Sequence, residues 1–340
     1  MAGWQSGYAA ACKAVYAGSI PASASIKLEY NSAINVCPGG GIGRHKGLKI
    51  PRQKWRAGSS PAPGTINEKM KKKFPDHFDR IKKTLKPKLE ELDFHTLGKF
   101  NITYSKNNKD PFAYMVEAEW SYYEKVLGWY LENVPKGSSV LEIGMFVPVI
   151  PLLLSWEGYK VTAIENLDFY GDSLDPMVNI AKKNKIHFIN TDVISSSLNI
   201  EKFDCINLLA VVEHILGSPK SLLAKIHSML KDTGSFIFVV PNQARLIRRL
   251  GLMFGGISVQ PDYKDYYESD YPFEGHHREY VRSEVKYMFD KSNFQITLLD
   301  SVRYKPHGSI LKKMITILGN ALPKNFHQAF FVTAKKNFSD

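Results

Sequence analysis

Residues 138–165 constrain this chain more than any other stretch, because they place two short β-rich runs on either side of a tight turn and a helix-length apolar segment. Residues 140–143 are apolar apart from Glu142 and close on Gly144. Pro148 can open a helix, where its missing N–H would be an orphan in any case, and residues 160–164 form the second run. Such a unit builds a parallel sheet. In an open parallel sheet, ligands sit beyond the carboxyl ends of the strands, which here carry Glu142, Gly144 and Glu165. An acid ending the second strand can take both hydroxyls of a ribose, so the predicted ligand is a nucleoside.

The alternation continues down the chain. Residues 185–190 read as a third strand ending in Asp192, and residues 203–209 as a fourth ending at Leu209 and followed by Ala210, Val211, Val212, Glu213 and His214. The amphipathic run 218–230 predicts a helix stopped near Gly234, before a strand over 235–240 and the pair Pro241-Asn242. A helix over 282–289 and strands over 295–302 and 328–335 complete the sheet, the last two as a hairpin-like pair with a short connection. Upstream, residues 85–97 and 115–130 are helical, the second with Trp120, Tyr123, Leu127 and Tyr130 at helical spacing.

This order of elements, with Leu-Glu-Ile-Gly in the first turn, acids after the second and third strands and Glu213-His214 after the fourth, resembles the class I S-adenosylmethionine-dependent methyltransferases over roughly residues 120–336. The likeness is to the small-molecule group that includes quinone and polysaccharide-pathway enzymes, whose fifth strand is followed by Pro-Asn and later by a segment similar to His276-His277-Arg278-Glu279-Tyr280. The resemblance implies a Rossmann-like, doubly wound α/β fold with seven mostly parallel strands and one antiparallel strand. It implies S-adenosyl-L-methionine as cofactor, held by Glu142, Gly144, Glu165, Asp192 and Leu209, and methyl transfer to a small-molecule acceptor, O-methylation first among the options. His277 and His214 are the candidate bases, since a neutral imidazole can take a hydroxyl proton. In the quinone-pathway relatives a further Glu three residues before Glu213 helps bind a divalent metal. Ala210 stands at that position here, so no metal is expected.

One departure bears on the site. The family's first turn runs Glu-x-Gly-x-Gly-x-Gly, and here it runs Glu142-Ile-Gly144-Met145-Phe146-Val147-Pro148. Glycine allows positive φ and close approach of a ligand to the backbone. Either the turn follows a variant path into Pro148 or the cofactor site is degraded, as in a binding protein without catalysis. A nicotinamide dehydrogenase would need Gly-x-Gly-x-x-Gly, of which Gly144 alone is present. Each acid also has a plain structural reading: Glu142 hydrogen-bonded within its strand, Glu165 at a helix N-terminus, Asp192 capping a turn.

The predicted organisation is an extension over 1–69, a helical cap over 70–136 and a catalytic domain over 137–340 with a lid insertion at 243–275. Residues 244–254 are basic and amphipathic, a pattern compatible with contact to a lipid surface but expected to pack on the domain. Tyr263, Tyr266, Tyr267 and Tyr271 would furnish an acceptor pocket, and 310–318 would be a further amphipathic helix covering the sheet.

Residues 1–65 resemble translated transfer-RNA genes. Gly18-Ser19-Ile20-Pro21 and Gly58-Ser59-Ser60-Pro61 each match a T arm read in frame, which places the expected start of translation at Met70. The chain carries 45 basic and 33 acidic residues, net +12. Setting aside the eight basic residues of 1–65 and Glu29 leaves 37 against 32, so the charge argument for nucleic acid weakens and no nucleic-acid partner is expected. The three cysteines form no disulfide framework, which suits the cytoplasm, and no apolar run is long enough to span a bilayer.

Overall fold

The computed structural model describes residues 74–106, 109–168, 170–196, 200–256, 262–306 and 309–338. The transfer-RNA-like stretch and the expected start at Met70 lie outside them. Seven strands, β1 (Ser139–Ile143), β2 (Lys160–Glu165), β3 (His187–Asn190), β4 (Phe203–Leu209), β5 (Leu230–Pro241), β6 (Phe294–Val302) and β7 (Ala329–Lys336), form one sheet in the order β3-β2-β1-β4-β5-β7-β6. The pairs from β3 through β5 are parallel, and β7 runs antiparallel to both β5 and β6. Strand order reverses between β1 and β4, so a crevice opens beyond their carboxyl ends.

Among the described residues, four α-helices precede the sheet: α1 (Pro75–Leu89), α2 (Phe94–Phe100), α3 (Ile102–Lys106) and α4 (Trp120–Asn133). The crossovers carry α5 (Val149–Trp156), α6 (Asp175–Lys183) and α7 (Lys220–Met229). After β5 come α8 (Leu246–Met253), α9 (Tyr263–Glu268) and α10 (Arg282–Lys291), and α11 (Ile310–Ala321) lies between β6 and β7. One face of the sheet, with Val140, Ile237, Val239 and Phe331, packs with residues of α1, α4, α5 and α6. The other, with Ile143, Ile206, Phe236 and Phe238, packs with α7 and α10. Burial on both faces explains why the strands read as almost continuous apolar runs. Trp120 and Tyr130 are fully buried and anchor α4; truncating such a side chain to Ala costs about 3–5 kcal/mol.

Four expectations change. The single helix over 85–97 is two, because the Asp93 carboxylate accepts from the His95 and Thr96 N–H groups and starts α2 afresh. The run over 218–230 does not continue to Gly234: β5 begins directly at Leu230, its polar start held by Lys231 on Asp204 and by Lys336 on Asp232. The final pair is antiparallel as expected, yet its connection is long enough to hold α11, and β7 is inserted between β5 and β6. Residues 113–117 form a π-helical turn ahead of α4 rather than part of it.

The insertion is clasped to the helical segment. Lys106 of α3 pairs with Asp265 and Glu268 of α9 at 2.8 and 3.2 Å, and the Asp270 and Glu274 N–H groups donate to the Lys99 and Phe100 carbonyls. The four tyrosines 263, 266, 267 and 271 are exposed, so the pocket's aromatic residues come from elsewhere.

Candidate functional site

Glu142 sits inside β1 with Asn207 of β4 opposite it in register. Its carboxylate accepts from Asn207 Nδ2 at 2.8 Å, and Asn207 Oδ1 accepts from the Tyr130 hydroxyl at 2.7 Å. Burial pushes Glu142 up to about 8, with the Asn207 bond opposing. Beyond it lies a cavity of about 270 Å³ over the ends of β1 and β4. The sheet side of the cavity is Glu142, Gly144 and Leu209, and the cap side is Tyr114, Glu119 and Tyr123.

The first turn takes the variant path. Gly144 has φ +78, and a Cβ there would meet Val211 Cγ2 at 2.4 Å, so glycine is required by space as well as conformation. Phe146 takes up positive φ, +30, without being glycine. Its N–H donates to Glu165 Oε2 at 2.7 Å, and its ring stacks on Tyr104 at 5.3 Å and meets Tyr170 edge-on. Pro148 precedes α5 at its N-cap.

After β4 the chain makes a 3₁₀ turn over Val212–His214. Glu213 is fully buried and lines the cavity, and among the described residues neither of its carboxylate oxygens has a hydrogen-bond partner. His276 Nε2 lies 4.0 Å from its Oε1. Burial raises Glu213 to about 7, against the pull of His276. His276 is held on its other side by Glu279 at 3.1 Å, which Arg245 grips with both guanidinium nitrogens. Despite burial, the Glu279 and Glu213 carboxylates raise His276, while Glu279 itself lies at about 2, held down by His276 and Arg245 against its burial.

Of the residues predicted to form the site, Glu142, Gly144, Leu209 and His214 line the cavity, and Glu165, Asp192 and His277 do not. His214 donates from Nδ1 to the Glu274 carbonyl and meets His276 edge-on; burial and that neighbour push it down to about 3, so it is neutral. His277 is turned away, its Nε2 on the Phe273 carbonyl and its N–H on the Glu213 carbonyl, which makes it an anchor for the segment that presents His276. The Asp192 carboxylate accepts from the Ile194 N–H as a turn cap. Glu165 accepts from Phe146 N and Asn166 N, and burial lifts it to about 7. The reading of residues missed Glu119, Tyr114 and His276. The aromatic stripe near Trp120 is a signal for the cap side, and of the His pair the sequence points to His277 where His276 lines the cavity. Among the described residues, Glu213, His214 and His276 bring ligand atoms within 4.8 Å of one another, the one such group.

The residues suit a cationic nucleoside donor at one end. Glu142 and Glu213 are buried acids facing a cavity that supplies no cation other than imidazole, a setting that favours a positively charged ligand. Outside the cavity lining, each Glu165 oxygen keeps a lone pair beyond its backbone bond, next to the Phe146 backbone whose ring contacts Tyr104 and Tyr170.

A doubly wound sheet with a polar cavity at its switch point defines a Rossmann-like nucleoside-binding enzyme. Residues 121–299, just over half the chain, match the family described as methyltransferase domain, and the chain belongs to that family. No curated protein matches it significantly. Solved structures with a similar fold include a magnesium protoporphyrin IX methyltransferase of Synechocystis with bound S-adenosylhomocysteine (13% identity, 77% of this chain, 94% of that chain, TM-score 0.43). Others are an S-adenosylmethionine-dependent methyltransferase of Clostridium acetobutylicum (15%, 69% and 99%, TM-score 0.47) and the N-methyltransferase NodS of Bradyrhizobium japonicum (14%, 70% and 98%, TM-score 0.46). Likenesses at this level bear on no single residue of the site. Among the described residues no helix is long and apolar enough to cross a membrane.

Proposed function

We propose that the chain transfers a methyl group from S-adenosylmethionine to a hydroxyl of a small-molecule acceptor, with Glu213 taking the proton. The observation that carries this reading is the unpartnered, fully buried Glu213 carboxylate facing the cavity. A buried acid with both oxygens free is costly unless a ligand uses it. Its position near neutrality is that of an efficient general base. His276 is a positioning residue, fixed by Glu279 and Arg245 at a distance that steadies the ionised form of Glu213.

When bound, the donor supplies an electrophilic methyl on a sulfonium. Glu142 would face its positive methionine end, and Glu165 its ribose. Tyr114, Tyr122 and Tyr123 would shape the acceptor side and exclude water, which holds the hydroxyl in line for displacement. His214, neutral and tied to Glu274, keeps the loop after β4 in place.

Calorimetry with S-adenosylhomocysteine tests the donor, and methyl transfer to a panel of phenols, catechols and sugars tests the acceptor. Glu213→Gln is expected to lower turnover by about a hundredfold and to remove a rise in rate through pH 7, while His277→Ala, which touches no reacting group, keeps that rise. Failure of the wild-type chain to bind the S-adenosyl ligand, or an undiminished rate in Glu213→Gln, overturns the proposal.

A further inference from the structure

Helices α8 and α11 leave large apolar side chains in solvent. In α11 the buried positions are Thr316 and Gly319, while Ile310, Leu311, Met314, Ile317 and Leu318 are all more than half exposed. In α8 the buried positions are Leu246 and Arg248, the latter near Glu279, and the apolar residues Leu252, Met253 and the adjoining Phe254 are exposed. The two helices pack together closely: a Cβ on Gly319 would sit 3.4 Å from Leu246 Cβ. A helix of a globular domain turns its apolar stripe inward. Here the buried positions of the two helices are Leu246, Arg248, Thr316 and Gly319, and eight large apolar side chains are left facing out.

The two helices and the segments flanking them carry charge of one sign. Residues 241–256 and 302–328 contain no Asp or Glu, and Arg249, Lys312 and Lys313 are exposed. Beside α8, a cavity of about 350 Å³ is lined by Arg249, Arg282 and Lys286 with no acid among its lining residues. An apolar face flanked by exposed Arg249, Lys312 and Lys313 complements an anionic surface with an apolar interior better than it complements a second copy of itself. Nucleic acid offers the charge but nothing for aliphatic side chains to enter. We infer that α8 and α11 dock the protein on a bilayer rich in anionic lipids, the apolar side chains entering the acyl boundary and the basic residues meeting the phosphates. This inference does not depend on the methyl-transfer reading.

Flotation of the full chain with vesicles decides it. Vesicles of equimolar phosphatidylcholine and phosphatidylglycerol are expected to carry the protein, those of phosphatidylcholine alone to carry little, and added salt to weaken the binding. Lys312→Glu with Lys313→Glu should reduce partition by about tenfold or more, and Leu311→Ser with Met314→Ser should abolish it. These side chains are exposed, so unchanged thermal melting of both variants is the control for folding. Absence of flotation, or flotation indifferent to lipid charge, overturns the inference. So does a wild-type dimer that the serine variant converts to monomer in sedimentation equilibrium, which would give the face to a second copy.

Discussion

Phe146 and Ala210, at φ +30 and +54, stand on the two loops that frame the cavity, and neither is glycine. Such residues cost on the order of 1–3 kcal/mol and are held by their surroundings, here by Glu165 on the Phe146 N–H and by the Val239 carbonyl on the Ala210 N–H. Phe146→Gly would relieve the backbone and uncover Glu165. Tighter S-adenosylhomocysteine binding, read by calorimetry, is the expected outcome; weaker binding would mean that the ring stacks on the ligand. Glu165→Ala removes two acceptors for backbone donors, so the ligand-free protein should lose about 2 kcal/mol in denaturant melts. A ribose clamp alone would leave that melt unmoved.

At the scale of elements, the strands were legible because each is a short apolar run between turn residues, and both sheet faces are covered. The site was half legible. Glu142, Gly144, Leu209 and His214 are tied to strand ends, which a pattern marks. His276 and Glu119 were not, because the side of a loop or helix that meets the cavity depends on packing between segments far apart in sequence. The same limit hid the exposed apolar side chains of α8 and α11, whose periodicity is that of ordinary amphipathic helices. The clasp between α3 and α9 is also a product of tertiary contact. Its ion pairs are substantially exposed and together contribute about 1 kcal/mol, so Lys106→Ala should barely change global stability. It should speed hydrogen exchange at Asp270 and Glu274, whose N–H groups bond across the clasp.

For the whole molecule, buried acids set the response to pH. Glu142 at about 8 and Glu213 at about 7 are raised above their ordinary value of 4.5, chiefly by burial. A raised folded-state acid contributes stability that is complete below the unfolded value and lost as pH climbs through the folded one. The melting temperature is therefore expected to fall from pH 5 to pH 8, each group accounting for about 3 kcal/mol over that window. Glu142→Gln should flatten the slope. A cationic ligand favours the ionised acids, so S-adenosylmethionine should stabilise the protein more at pH 8 than at pH 6, with proton release on binding.

The line of hydrogen bonds from Tyr130 through Asn207 to Glu142 runs in one direction, each group donating to the next. Its middle member is an amide whose two ends cannot exchange roles without breaking both bonds. The side-chain NH₂ resonances of Asn207 should therefore be slow-exchanging and well resolved, and their shift should track the ionisation of Glu142 in real time. One nitrogen-labelled asparagine thus acts as an internal gauge of occupancy, readable in solution before any acceptor has been identified.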